Sequence, residues 1–120
     1  MARALTILFV DDDDLVRAPV AEILGNQGLR VLTAGSAIEA MRILAQEHVD
    51  VLFTDVVMPD ASGIELAKQA KQLRPHLLVM FATGYFSRAA DAAQLGKVLF
   101  KPMRAHQIED AINDVLRPLR

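Results

Sequence analysis

The sequence predicts an α/β domain, a doubly wound three-layer sandwich whose five-stranded parallel sheet has strand order 2-1-3-4-5. Three observations predict it. Five short apolar runs alternate with stretches of helical periodicity. Glycine and proline fall between them as stops. Several runs also end on polar residues, and the carboxyl ends of strands are where an open parallel sheet gathers its ligands.

Leu5 to Val10 is the first strand and runs into Asp11-Asp12-Asp13-Asp14. From Leu15 to Gly25, Val16, Val20, Ile23 and Leu24 share a helical face, and Pro19 is tolerable in a first turn. Gly25-Asn26-Gln27-Gly28 stops that helix. Leu29 to Ala34 is a second strand, near an edge because Arg30 interrupts it. Ser36-Ala37-Ile38-Glu39 is a capping-box pattern that opens a helix to Glu47, with Ala37, Ala40, Met41 and Leu44 facing inward. His48 follows as a helix-end or surface imidazole with no apparent partner.

Val51 to Asp55 is the third strand, and Met58-Pro59-Asp60 turns the chain because Pro59 cannot join a central strand. Ser62-Gly63-Ile64-Glu65 repeats the capping pattern. Its helix runs to Leu73, burying Ile64, Ala67, Ala70 and Leu73 and turning Lys68, Lys71 and Arg74 to water. Pro75 ends it, and His76 is a loop residue. Leu77 to Ala82 is the most continuous apolar run, hence a central strand, and it ends in Thr83-Gly84. Tyr85 to Leu95 is Ala-rich with a weak pattern: either a marginal surface helix or one with an apolar face open to a partner. After Gly96, Lys97 to Phe100 is the fifth strand, followed by Lys101-Pro102. A last helix from Arg104 to Arg117 buries Ile108, Ala111, Ile112, Val115 and Leu116.

The bulk numbers exclude several classes. A length of 120 residues suits one domain, and a hydrophobic fraction of 52% supports a real core. A formal net charge of −2 implies no broad basic face, so nucleic acid is not an expected partner. Without cysteine there is no disulfide framework and no thiolate metal site. Met1-Ala2-Arg3-Ala4 lacks the features of a secretory leader, and no run approaches a membrane span. A cytoplasmic protein without a membrane partner is the expectation.

The chemistry lies at the strand mouths. Asp55 stands where a hydrophobic strand ends, either capping the next turn or serving a site. Asp13 and Asp14 suit a helix N-terminus, whereas Asp11 and Asp12 belong to the strand end itself. If the first and third strands are adjacent, Asp11, Asp12 and Asp55 converge. Three such carboxylates cannot all ionise cheaply, and a partly hydrated Mg²⁺ is the natural compensation. Thr83 could cap the following segment or bond an anion at that edge, and Lys101 could pair with carboxylates or a phosphoryl group.

These residues, in this order, resemble the receiver domain of bacterial two-component response regulators over nearly the whole chain. The resemblance rests on the acid pair after strand one, Asp-x-x-Met-Pro-Asp-x-Ser-Gly after strand three, Thr-Gly after strand four and Lys-Pro after strand five. It implies a flavodoxin-like fold over residues 1–120. It also implies a signalling switch rather than an enzyme, one that assists its own phosphorylation and dephosphorylation. Asp55 would be the phosphoacceptor, and Asp11, Asp12, Asp55 and the Val57 carbonyl would hold Mg²⁺ or Mn²⁺. Thr83 and Lys101 would contact the phosphoryl group, and Lys101-Pro102 would be a cis peptide. The implied partners are a sensor histidine kinase or phosphotransfer protein as donor and a downstream protein as target. Phosphorylation could also drive dimerisation. The responsive surface would involve the last two strands, Tyr85 to Leu95 and Arg104 to Asp114.

Two positions depart from that pattern. Val98 stands where many receivers carry an aromatic switch, and Met103 replaces the Phe common after Lys-Pro. Phe81-Ala82-Thr83-Gly84-Tyr85 is similar to a receiver subgroup with a Phe-Ala-Thr-Gly signature that lacks this switch. Tyr85 and Phe86 are then candidates for the replacement, or ordinary packing aromatics. Two other functions stay open: a receiver-like module that binds without phosphorylation, and an Asp-nucleophile phosphatase. The phosphatase needs a second acid where Val57 stands. An FMN binder of the same fold class would need a Ser/Thr-rich phosphate loop after strand one, where this chain has acids.

Overall fold

Side-chain alternation along the strands decides the layers of this domain. The computed structural model describes residues 4–120, so the reading of Met1 to Arg3 lies outside the described residues. The strands are β1 (Thr6–Val10), β2 (Arg30–Ala34), β3 (Val51–Asp55), β4 (Leu78–Thr83) and β5 (Lys97–Phe100). They form one parallel sheet in the order β2-β1-β3-β4-β5. The helices between and after them are α1 (Asp14–Gly25), α2 (Ala37–Gln46), α3 (Gly63–Leu73), α4 (Phe86–Ala93) and α5 (Ala105–Leu116).

Successive strand residues point to opposite faces. Leu8, Val10, Leu52, Val79 and Phe81 pack against α2 and α3, and Ala92 of α4 joins them. Ile7, Phe9, Val51, Phe53, Met80 and Ala82 pack on the other face against Val20 and Leu24 of α1 and Ile108, Ala111, Ile112 and Leu116 of α5. Phe9 and Phe53 meet there with ring centroids 5.0 Å apart. Both faces of β1 and β3 are buried, which is why Ile7 to Val10 and Val51 to Phe53 read as continuous apolar runs. Arg30 on the edge strand β2 is exposed and pairs with Glu47 at 3.2 Å.

Several expectations need correcting. Pro19 is the sixth residue of α1, beyond its first turn, because Asp13 caps the helix and Asp14 already opens it. The carbonyl that loses its partner belongs to Leu15, which is exposed. On α3, Leu66 is buried and Leu73 is exposed. A strict three-residue spacing drifts by about 60° per step at 3.6 residues per turn, so Leu73 ends on the side opposite Ile64. Lys71 and Arg74 do not simply face water: they donate to the carbonyls of Leu77 (3.0 Å) and Leu44 (3.1 Å). Ser62 caps α3 by accepting from Ile64 N–H at 3.0 Å, one residue earlier than a capping box requires, whereas Ser36 accepts from Glu39 N–H at 3.1 Å. The first turn of α2 gains further acceptors from Asp60, whose carboxylate takes Ala37 N–H and Ile38 N–H, each at 3.2 Å. The Lys101-Pro102 bond is cis.

His48 does have a partner, Asp50, at 2.8 Å. The other oxygen of Asp50 accepts from Thr6 N–H at 2.8 Å, while its backbone bonds Thr6 O and Leu78 N–H. Asp50 thus joins the N-terminal ends of β1, β3 and β4, and Leu119 from the chain's last turn lines the same hollow.

One glycine fixes the entrance to α3. A Cβ on Gly63 would lie 2.0 Å from the carbonyl oxygen of Asp55, and Gly63 N–H bonds Val56 O at 2.7 Å. The helix start is therefore pressed against the end of β3. By contrast, a Cβ on Gly25 would meet nothing within 4 Å. Gly63→Ala is expected to lose about 1–3 kcal/mol of stability in urea unfolding, as overpacked sites do. Gly25→Ala should be neutral or gain up to about 1 kcal/mol. Equal midpoints for the two variants would refute the close-contact argument.

Candidate functional site

The parallel register brings the C-terminal ends of β1, β3, β4 and β5 to one edge of the sheet, and a cleft of about 490 Å³ opens there. Asp11, Asp12, Asp55, Val57, Tyr85 and Lys101 line it. Each of Asp11, Asp12 and Asp55 offers one carboxylate oxygen, all within 4.8 Å of one another. The acids differ in setting. Asp11 is fully buried and Asp55 is 7% exposed. Asp12 projects into solvent.

Lys101 compensates the buried pair. Its Nζ donates to Asp11 Oδ2 at 2.7 Å and to Asp55 Oδ2 at 3.1 Å. Asp11 Oδ1 accepts from Asp13 N–H at 2.9 Å. Asp55 Oδ1 has only a long contact, 3.4 Å from Val57 N. Burial pushes the Asp55 carboxyl above its ordinary value; Lys101 pulls against this, and the charge of Asp11 adds to the push. Burial alone would lower the Lys101 ammonium. Its hydrogen bond to Asp11 and the charges of Asp55 and Asp11 outweigh burial and hold it above its ordinary value. An all-oxygen donor set with open positions is the kind that a hard divalent cation such as Mg²⁺ or Mn²⁺ takes.

Thr83 is the exception among the strand-mouth residues. It is buried, and its hydroxyl accepts from Tyr85 N–H at 3.0 Å, the capping arrangement already open from sequence. It does not line the cleft. Tyr85 and Phe86 are exposed, and Phe86 sits 4.8 Å, centroid to centroid, from Phe100. Val98 is half-buried against the α2/α3 side of the core. Sequence reasoning missed Arg17, whose Nη1 donates to Asp11 O at 2.7 Å. The available signal was a cation one helical turn past four adjacent acids.

Comparison with known proteins agrees with this geometry. The sequence profile of the response regulator receiver domain family matches residues 7–113. The chain is 34% identical over 117 residues to the response regulator receiver protein CpdR of Brucella abortus, covering 94% of this chain and 95% of that protein. It is 35% identical to the DNA-binding transcriptional regulator NtrC of Azospirillum brasilense, covering 97% of this chain but 24% of the relative. Against the sensor kinase CckA of Brucella abortus it is 30% identical, over 97% of this chain and 13% of the kinase. Among solved structures, a CheY-like receiver domain protein from Methanospirillum hungatei superposes with a TM-score of 0.89 at 27% identity, covering 97% and 96% of the two chains.

The direction of the Asp55 shift sets a stability prediction. An acid whose folded value is raised binds its proton more tightly when folded, so stability falls as pH rises from the ordinary carboxylate range through the raised value. At neutral pH in a chelator, Asp55→Asn is expected to unfold at a higher temperature than the parent. The gap should narrow as pH falls below the ordinary carboxylate range. A variant less stable than the parent at pH 7 would mean that Lys101 more than compensates the buried charge.

Proposed function

Because this chain belongs to the response regulator receiver domain family, a signalling family rather than one of conventional enzymes, we propose that it is a phosphorylation-dependent switch with Asp55 as phosphoacceptor. The observation that carries the reading is the Asp11–Lys101–Asp55 bridge beside the open cleft. On this reading residues 1–120 form one receiver domain. The donor is a sensor histidine kinase or phosphotransfer protein, and the cell compartment is the cytoplasm. Among the described residues no helix is long and apolar enough to cross a membrane.

Asp11, Asp12 and Asp55, with the carbonyl of Val57, would hold Mg²⁺ or Mn²⁺, and the converging carboxylate oxygens fit that role. When bound, the ion supplies positive charge to the acids and to the phosphoryl oxygens. The chain's own residues do the rest. An oxygen of the Asp55 carboxylate forms a bond to phosphorus while the bond from phosphorus to the donor's leaving group breaks. Asp55 Oδ1, with only its long contact to Val57, is the freer of the two oxygens. Lys101 already points at Asp55 and exchanges that partner for the transferred phosphoryl oxygens.

Phosphorylation adds about −1.5 to −2 charges and three acceptors at Asp55. Thr83 can donate its hydroxyl to one of them. To do so it gives up its long 3.5 Å donation to the Tyr85 carbonyl, and its turn toward Asp55 loosens its hold on Tyr85 N–H at the start of α4. Tyr85 has no side-chain cap of its own to offer there. The signal therefore passes to Tyr85, Phe86 and the Phe86–Phe100 contact, and not through an aromatic at Val98. The surface of β4, α4, β5 and α5 is the one a target protein, or a second copy of the chain, would read.

Intact mass spectrometry after exposure to a small-molecule phosphodonor tests this. The expected result is one phosphoryl adduct that requires Mg²⁺ and is absent in Asp55→Asn. Thr83→Ala should still accept the group but show a smaller change in amide exchange over Phe86–Ala93. A folded, Mg²⁺-binding protein that takes no phosphoryl group from a small donor or from a phosphorylated kinase would overturn the role of Asp55. It would favour a module that signals by binding alone.

A further inference from the structure

Arg17 stands just behind the acidic cleft, bonded to the backbone of one of its acids. It lies on α1 with its side chain 24% exposed. Nη1 donates to the carbonyl oxygen of Asp11 at 2.7 Å, and the other arm pairs with Asp14. The guanidinium lies over Gly35, where a Cβ would come within 3.0 Å of Nη1. The residue before Gly35, Ala34, accepts Asp11 N–H at 3.1 Å. The end of β2 therefore holds one side of the Asp11 backbone and leaves room for the arginine that holds the other.

We propose that Arg17 is a positioning residue for cation binding, acting through the peptide plane between Asp11 and Asp12. That peptide is planar, so fixing the Asp11 carbonyl fixes the N–H and Cα of Asp12 with it. Asp11 is anchored independently: its carboxylate is held by Lys101 and Asp13 N–H. Asp12 is exposed, so its backbone fixes the point from which its side chain starts. The arginine thus aims the one acid of the cluster that packing does not aim. Its pairing with Asp14 is secondary, because the Asp14 side chain is 84% exposed and such pairs contribute little.

The proposal rests on the metal-site reading above, and its sign separates it from simple electrostatics. Through space, a positive arginine opposes binding of a cation beside it, so its loss would tighten binding. As a positioning group its loss weakens binding. Calorimetric titration of the full chain with Mg²⁺, repeated with Mn²⁺ by electron paramagnetic resonance, distinguishes the two. Arg17→Gln and Arg17→Lys are both expected to bind about 10–100-fold more weakly, the range seen when an outer-shell partner is lost. Lys keeps the charge but replaces a planar fork with a single point of donation. The deficit should persist in 1 M salt, where the screening length is about 3 Å. Saturating Mg²⁺ should restore the phosphorylation rate, which a folding defect would not allow.

Wild-type or tighter affinity in either variant would overturn the proposal and leave the metal site standing. If Arg17→Gln does not fold, Arg17→Lys decides alone, since its charge is unchanged. A wild-type chain that binds neither ion would overturn the metal-site reading and this inference together.

Discussion

One ammonium group ties the site together. Lys101 joins Asp11 and Asp55 across sequence separations of 90 and 46 residues. A fully buried carboxylate is untenable without a partner, and the cost of burying charge is recovered only when the remaining lone pairs are also bonded. Asp11 meets that condition through Lys101 and Asp13 N–H. The lysine follows β5, with β3 and β4 lying between β5 and β1 in the sheet. Where it reaches across, β4 ends in Ala82 and Thr83 and is followed by Gly84, all small residues. Lys101 N–H bonds the Thr83 carbonyl at 2.9 Å, so the backbone beneath the bridge is fixed as well. The closeness of Asp11 to Asp55 depends on this contact, which also restrains the upward push that burial gives the Asp55 carboxyl.

Much of this was legible in the sequence, for identifiable reasons. All five strands are legible because burial on one or both faces leaves an apolar signature; crossover handedness only narrows the orders to a few, of which the doubly wound 2-1-3-4-5 is the economical one. Asp11, Asp12, Asp55 and Lys101 were found because each stands at a strand mouth, and topology brings those mouths together. The failures concern geometry that spacing does not encode. The Leu66-for-Leu73 exchange on α3 came from treating a 3.6-residue repeat as one of three. Pro19 was misplaced by the position of a cap. Arg74 and Lys71 are invisible as structural residues because their partners are backbone carbonyls, and a carbonyl has no letter in the sequence; the same holds for the bond from Arg17 to the Asp11 carbonyl, though its pairing with Asp14 leaves a signal.

The loops of the cleft are not held equally. The segment after β3 is pinned by buried Met58, by Asp60 on the first turn of α2 and by Gly63 against Asp55 O. The segment after β4 has less. Its helix α4 has eight residues, a single buried one in Ala92, and an N-terminus that borrows the Thr83 hydroxyl. Isolated helices of that length are not stable in water. The firmly held segment thus follows Asp55 at the end of β3, and the loosely held one leads into the Phe86–Phe100 contact, a division that follows from packing alone.

The Asp50 junction has a consequence of a different kind. It gathers the beginnings of β1, β3 and β4 at the pole opposite the acidic cleft, and Leu119 lines the same hollow. Both ends of the described chain therefore emerge on the side away from the chemistry. A unit built this way is portable: sequence joined at either end has no need to pass the cleft or disturb the sheet edge that forms it. The same architecture can then make up 95% of one relative and 13% of another without rebuilding its reactive face.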